Sequence, residues 1–584
     1  MVARLGVAAL VAAATVAVYA GRRSVEVDFE RGYEGGFVDG FHPRERAEGK
    51  YFRWTDGSSF VVFRNLPPRG LIAVEARLKT IRPVGEALPE LRFTANGITV
   101  HRARALPGSV TYHFELPSAT PTLRLGIESD TFEASGGRIL GVQVLGVTLK
   151  PAERPTWTMP ALTMFLAAFG FTLALGSSLA ALVLCAGCLY LLAQGPAAFT
   201  SFPLQLAGIA VVAVVVSKAA RFVADRLTWL QPVERARVVA LVAALVAVEA
   251  IGVCYPLRLS SDADFQGNRM SELLRGNWHP TSVTQHDAPF RIPYPVSLYV
   301  AAAPLVGVGL DRVTALEFTT ALFDVLVSVA LVILAWLFFD DVPAGAFAAV
   351  LYQLVPMNVS AFSAGNWTNL FAASMLAMSF LFLLLASVRE DSRFVAATGL
   401  TTFAALTAHF GMLIEGLLLW PLWLLGASAR VRLAVLLGFV LAGIYYLGYW
   451  ELVSSQWGRS VEGEASTGAY DLALVGEQLG WVFCLTSVLG AFPVVRRFRE
   501  SPFHTAATSW LAVTGVFLVI ELVTPIGIRY WLQALPILAL LSGRYLSRAL
   551  DRGRFGKVAA WAAFAYMCVI GLANLREMLL FRYH

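Results

Sequence analysis

The sequence predicts a polytopic α-helical membrane protein with an N-terminal extracytoplasmic β-sandwich, and three observations carry that prediction. Of 584 residues, 57% are hydrophobic and 15% charged, against about 25% charged in soluble chains, and mean hydropathy is +0.63. From Trp157 onward, apolar runs succeed one another with short polar breaks. Residues 24–155 instead alternate apolar and polar positions between turn residues, the pattern of half-buried strands.

The balance of charge excludes one class of partner. The net charge of +6 comes from Lys and Arg in short clusters between apolar runs, where such residues orient helices in a membrane. No basic stripe is interleaved with aromatics, so no nucleic-acid partner is expected. The five cysteines lie in or beside apolar segments, and the Cys185/Cys188 pair reads as packing on a lipid-embedded helix rather than a redox or zinc site.

Residues 1–23 hold an apolar run, 5–20, flanked by Arg4 and by Arg22-Arg23. It reads as a signal anchor or a signal peptide, and both place residues 24–155 outside the cytoplasm. Within 24–155, runs such as Leu71–Leu78 and Thr122–Ile127 alternate, and Pro67-Pro68, Asn96-Gly97 and Gly136-Gly137 punctuate them. Several such strands without a helical run predict an antiparallel sandwich. Phe41, Tyr51 and Trp54 read either as core or as a platform on which a sugar ring stacks.

Accessory transmembrane helices are expected over 156–237, and a transmembrane catalytic module over 238–584 with an outer loop at 256–299. Fourteen apolar stretches begin near residues 157, 178, 203, 238, 313, 344, 367, 394, 411, 432, 475, 506, 529 and 557. Counted from an outer sandwich, they put the basic clusters Lys218–Arg237, Arg389–Arg393, Arg430–Arg432, Arg496–Arg499 and Arg544–Lys557 on the cytoplasmic side. The count requires that 294–310, rich in Pro and Gly, is a re-entrant or surface helix. The 256–299 loop, His409 and the start of the 529 stretch then face outward.

That loop is the longest polar interruption among the apolar runs, and it carries Asp262, Asp264, His279, His286 and Asp287. Acids at a membrane edge suit catalysis, because partial burial raises a carboxylate pKa toward the working pH. FQGNRMSELLRG after Asp264 reads as a short amphipathic helix with Met270, Leu273 and Leu274 on one face. Asp264 is accordingly a general base or the N-cap of that helix, with Asp262 the second choice as base. If both point inward, they instead form a divalent-metal site for Mg or Mn. His286 and Asp287 read as site-lining or solvated residues. Arg529 suits a phosphate oxygen or an interfacial anchor, since its guanidinium donates in a fixed fork. Asp324 and Glu317, seven residues apart on one helical face, are intramembrane acids and so functional candidates. Asp324 is expected to pair with an Arg, hold an ion or relay protons.

Four segments carry a family resemblance. Ser261-Asp262-Ala263-Asp264-Phe265, then Pro293-Tyr294-Pro295-Val296-Ser297, then Leu406-Thr407-Ala408-His409, and finally Arg529-Tyr530 with Leu535-Pro536 occur in that order. Together they resemble the GT-C superfamily of integral-membrane glycosyltransferases, of the protein mannosyltransferase or aminoarabinose transferase type. The resemblance spans 238–545 and implies a GT-C-like helix bundle. It also implies transfer of a sugar from a polyprenyl-phosphate donor to a glycan, lipid or protein acceptor outside the cytoplasm. By that resemblance Asp264, then Asp262, is the base, and Tyr294, His409, Arg529 and Tyr530 contact substrate or carrier. A second outer acidic segment, which metal-using members carry, is absent from 356–369. The alternatives are a transporter or flippase for lipid-linked sugars, which should carry internal repeats and broken helices, and a polysaccharide ligase or polymerase.

Overall fold

The computed structural model describes all residues except 135–136, 226–230, 257–261, 284–290, 390, 457–471, 524–528 and 581–584. The chain forms two compact units, residues 1–259 with 579–584, and residues 260–578.

In the first unit, twelve strands come after one helix, α1 (Val2–Ala20). They are β1 (Val25–Asp28), β2 (Val38–Phe41), β3 (Glu45–Ala47), β4 (Lys50–Phe63), β5 (Leu71–Thr80), β6 (Glu90–Ala95), β7 (Ile98–Arg104), β8 (Gly108–Pro117), β9 (Leu123–Ser129), β10 (Phe132–Ala134), β11 (Arg138–Leu140) and β12 (Gln143–Pro151). The order β7-β6-β9-β4-β12-β5-β8 makes one antiparallel, nearly closed sheet, with β1 on β12 and β2 and β3 on β4. β4 makes the closure. Its first half pairs with β3 and β12 and its second half with β2 and β9, and the strand turns between them at Gly57, whose φ of +99° suits glycine.

Period-two alternation sets the inner face: Ile72, Val74, Ala76 and Leu78 of β5 are buried while the residues between them are only half-buried. The same rule corrects the sugar-platform reading. Trp54 shares the inner face with Phe52 and packs in a core cluster with Leu140 and Leu145, while Tyr51 points the other way, with Arg44 and Arg46 close to its ring.

Four more helices complete this unit: α2 (Thr158–Leu175), α3 (Ser178–Gln194), α4 (Phe202–Ala224) and α5 (Pro232–Cys254). α1 packs on α2 and α3. The Tyr19 hydroxyl donates to the Ala198 carbonyl at 2.6 Å and Arg22 to the Leu192 carbonyl at 2.8 Å, which ties down the end of α1. Cys185 and Cys188 are buried free thiols on α3.

The second unit contains α6 (Ala263–Leu274), the small hairpin β13 (Thr281–Val283) and β14 (Arg291–Pro293), then α7 (Ser297–Gly307), α8 (Arg312–Phe339), α9 (Val342–Leu354), α10 (Pro356–Ala364), α11 (Trp367–Arg389), α12 (Ser392–Leu406), α13 (Phe410–Trp423), α14 (Ala429–Leu447), α15 (Trp450–Gln456), α16 (Leu472–Leu479), α17 (Trp481–Arg496), α18 (Pro502–Val523), α19 (Arg529–Leu550) and α20 (Gly553–Leu580). α8, α9, α11 and α19 pack against one another as its centre. Trp423 of α13, Trp510 of α18 and Phe380 of α11 interlock with ring centroids 5.1–5.4 Å apart, an arrangement that adds to simple area burial.

Among the described residues nine helices are long and apolar enough to cross a membrane, or ten if one bent pair is a single span. The chain is an integral membrane protein. The stretches expected at 178, 394 and 411 form helices of 17, 15 and 14 residues, short of the roughly 20 that a straight span needs. Two expected spans are interrupted. The one over 344–358 is α9 and α10, bent by 45°, because Pro356 lacks the N–H to continue the ladder. The one over 475–494 breaks at Gly480, φ +81°, between α16 and α17. The stretch at 294–310 holds only the 11-residue α7, about 16 Å long and too short to cross.

Candidate active site

α6 forms where the sequence places an amphipathic helix, with one correction to its face. Gln266, Gly267, Met270 and Leu273 are buried, while Leu274 is 51% exposed, since one residue turns the helix by about 100°. The N-cap position belongs to Asp262 and not to Asp264. The Asp262 side chain makes no capping hydrogen bond. Asp264 lies in the first turn, and both carboxylates are at exposed positions.

What holds this turn is Gln266, 1% exposed. Its amide nitrogen donates to the Tyr294 hydroxyl at 3.1 Å and to the Gly365 carbonyl at 3.0 Å, and its oxygen accepts from the Tyr299 hydroxyl at 2.5 Å. One buried side chain thus joins α6, the Tyr-Pro segment, α7 and the turn between α10 and α11. Gly365 has φ +82° and caps α10 in the left-handed region, which presents its carbonyl to Gln266. Beside it the Asp262 N–H donates to the Ala364 carbonyl at 3.2 Å. Phe265 meets the Tyr294 ring edge-on at 5.1 Å, and the Arg269 guanidinium lies 5.0 Å from the Phe265 ring and pairs with Glu272 at 2.8 Å. The acidic and Tyr-Pro segments therefore form one rigid platform. Burial pushes the Tyr294 phenol pKa up, and the Asp262 charge adds to the rise against opposing hydrogen bonds from Thr368, Gln266 and Tyr299.

Trp278, Pro280 and Tyr294 of the loop dock on the end of α14. The Tyr449 hydroxyl donates to the carbonyls of Pro280 and Tyr294 at 3.0 and 3.2 Å, and the Tyr445 hydroxyl to that of Trp278 at 3.1 Å. The His279 ring stacks on Tyr445 at 5.1 Å, in a space that exists because residue 448 is glycine: a Cβ there would lie 2.1 Å from His279 Nε2.

The end of α12 joins the same assembly. The Ser297 N–H donates to the Thr407 carbonyl at 3.1 Å, and their hydroxyls are 2.6 Å apart. His409, two residues on, caps α13: its Nδ1 accepts from the Gly411 N–H at 3.1 Å, so the proton of the neutral ring is on Nε2. Asp262, Asp264, Tyr294 and His409 thus come from segments fastened to one another. His286 and Asp287 lie outside the described residues. Arg529 and Tyr530 open α19, and their side chains are also outside the described set.

The intramembrane acids are separate. Val313 of α8 touches α6 at Gly267, and Asp324 lies eleven residues further along, about 16 Å away. Asp324 is 1% exposed. Its carboxylate accepts from the Tyr352 hydroxyl at 2.6 Å and the Asn358 amide at 3.0 Å, while Gln353 donates to its backbone carbonyl at 3.2 Å. Hydrogen-bond donors on both sides of the α9–α10 bend hold it, rather than an Arg, and the acid pins the bent pair. Glu317 is buried one face-repeat earlier on α8.

Three of these positioning residues escape a reading of the sequence. Gln266 is visible only as a polar residue on the apolar 266–270–273 face, and nothing local marks Tyr299 as its partner or Tyr449 as the partner of Pro280 and Tyr294. For a metal, no group of three His, Cys, Asp or Glu gathers among the described residues. Asp262 and Asp264 are two carboxylates two residues apart at the start of α6, and no third such residue joins them in a group among the described residues.

No family model matches the chain, and no curated protein sequence matches it. Among solved structures the chain is similar to the crystal structure of ArnT from Cupriavidus metallidurans bound to undecaprenyl phosphate, at 17% identity and a TM-score of 0.41 over 59% of this chain and 70% of that one, and to ArnT from the same organism in the apo state, at 18% identity and a TM-score of 0.41 over 59% and 72%.

Proposed function

We propose that the chain is a membrane glycosyltransferase that moves a sugar from a polyprenyl-phosphate donor to an acceptor hydroxyl on a glycan, lipid or protein outside the cytoplasm. The observation that carries this reading is the fastening of the acidic turn to the Tyr-Pro segment by Gln266, which offers two exposed carboxylates on a rigid support. Preorganisation of this kind is what a base needs.

In the reaction, Asp264 takes the proton of the acceptor hydroxyl. The acceptor oxygen bonds to the anomeric carbon as the bond from that carbon to the phosphate oxygen breaks, and polyprenyl phosphate leaves with the bonding electrons. Arg529, by its chemistry, steadies the leaving phosphate, and His409 donates through Nε2–H. Asp262 and Asp264 would instead be the residues to hold a divalent ion, were one bound, and its charge would then help neutralise the phosphate.

The test is label transfer by purified protein in nanodiscs from a panel of polyprenyl-phosphate sugars to a lipid and glycan extract. Asp264→Asn is expected to lower transfer by about 10²–10⁴-fold, the usual share of general-base catalysis, and to leave carrier binding intact. Transfer unchanged in that variant removes Asp264 from the mechanism. The second reading, transport of a lipid-linked sugar, is favoured by one observation: the α9–α10 bend pinned by a buried acid, a feature of transporter sites. Movement of the carrier across vesicles with no transfer from any donor selects it.

A further inference from the structure

At the end of the second unit where α8 and α19 finish and α9 and α18 begin, a buried guanidinium has two nitrogens without an acceptor among the described residues. Arg544 of α19 is 5% exposed, and its Nε and Nη1 are buried with no hydrogen-bond partner among the described residues. The Phe339 ring lies 4.0 Å from its central carbon. That contact satisfies one face of the ion and leaves its in-plane N–H donors unmet.

Its surroundings carry more positive charge than negative. Arg548 and Arg497 are the cations that act on its charge, and Asp341 is the opposing acid. Asp341 is already engaged: its Oδ1 accepts from the Ala344 N–H at the start of α9 and from the Ser547 hydroxyl, both at 2.9 Å. Among the described residues Arg497 pairs with the exposed Glu500, 3.8 Å away, and such pairs contribute little. His504, in the first turn of the 22-residue α18, holds Nδ1 2.7 Å from the Ser501 hydroxyl, and its buried Nε2 has no partner among the described residues. Burying a cation with unmet N–H donors is costly, and an ion from outside the chain is one way in which such donors are satisfied. The same place is floored by Phe338, Phe339 and Phe503, with ring centroids 4.7 and 5.2 Å from Phe503, so apolar surface adjoins the charge.

We infer that this is a binding site for a phosphate oxyanion, with Arg544 as its fork donor and His504 and Arg497 beside it, and that an acidic phospholipid headgroup is its occupant. The apolar floor suits acyl chains, and the cationic excess selects an anionic over a zwitterionic headgroup. The site is independent of the proposed reaction.

The test is thermal unfolding of delipidated protein in neutral detergent, titrated with short-chain phosphatidylglycerol, phosphatidylcholine or inorganic phosphate. Phosphatidylglycerol is expected to raise the midpoint saturably and phosphatidylcholine to do little. A saturable rise with inorganic phosphate, lost in Arg544→Met, keeps the anion site and makes free phosphate its source. Arg544→Met should weaken the apparent affinity by about tenfold or more, the loss of a charge-assisted hydrogen bond. Arg554→Gln, at an exposed position on the next helix, should not. Equal responses to both lipids, or equal weakening by Arg554→Gln, overturn the inference in favour of diffuse attraction, as does an unchanged response in Arg544→Met. Should Arg544→Met not fold, Arg544→Lys keeps the charge without the fork, and an affinity equal to wild type in that variant also overturns it.

Discussion

Replacing Gln266 by Leu tests whether a single amide holds the acidic turn in place. Leucine fills nearly the same volume but offers no hydrogen bond, so the Gly365 carbonyl and the Tyr299 hydroxyl lose their Gln266 partner in a buried setting. Tyr294 keeps Thr368 at 3.4 Å and is affected less. Each stranded group costs about 1–3 kcal/mol, so the loss is roughly 2–6 kcal/mol. Met270 and Leu273 still anchor the apolar face. The variant should therefore fold, with α6 opening locally at lower free energy. Amide hydrogen exchange read by mass spectrometry is the assay. Peptides covering 267–274 should lose at least about 30-fold in protection, which corresponds to ~2 kcal/mol, while α11 and α19 change little. Protection within about threefold of wild type, with an unchanged unfolding midpoint, refutes the reasoning, because 2 kcal/mol cannot be lost without that signal.

The same contacts give further outcomes. Asp324→Asn sets an amide against either the Tyr352 hydroxyl or the Asn358 amide and should destabilise by about 1–3 kcal/mol. Asn358→Asp in the same chain should recover much of it, measured as a coupling energy in a double-mutant cycle. Gly448→Ala drives a methyl into His279 and should lower the unfolding midpoint and any transfer activity, with His279→Ala relieving both. With its folded pKa raised by burial, Tyr294 holds its proton when the same residue in the unfolded chain has lost it. Its contribution to stability is complete below about pH 10 and falls as pH rises beyond that. Tyr294→Phe should flatten that part of the alkaline slope in an unfolding series, and a slope identical to wild type counts against a buried phenol.

Local pattern alone determined much of this protein. Period two marked β5, apolar length marked α8 and α11, and a polar break between apolar runs marked the loop with Asp262, Asp264 and Tyr294. These properties sit within a few residues of one another along the chain, and burial of one strand face or one helix is decided at that range. Tertiary structure decided the rest. Gln266 meets Tyr294, Tyr299 and Gly365 across 28, 33 and 99 residues of sequence, and Tyr449 reaches Pro280 across 169. A hydrogen bond between such residues depends on how whole helices pack, which no local spacing encodes. The same holds for Asp324, for which the sequence offers an Arg pair, a held ion or a proton relay and names no partner, while the structure brings to it a hydroxyl and an amide from two other helices, and for Trp54, whose place in the core was settled by the neighbouring strands that close over it.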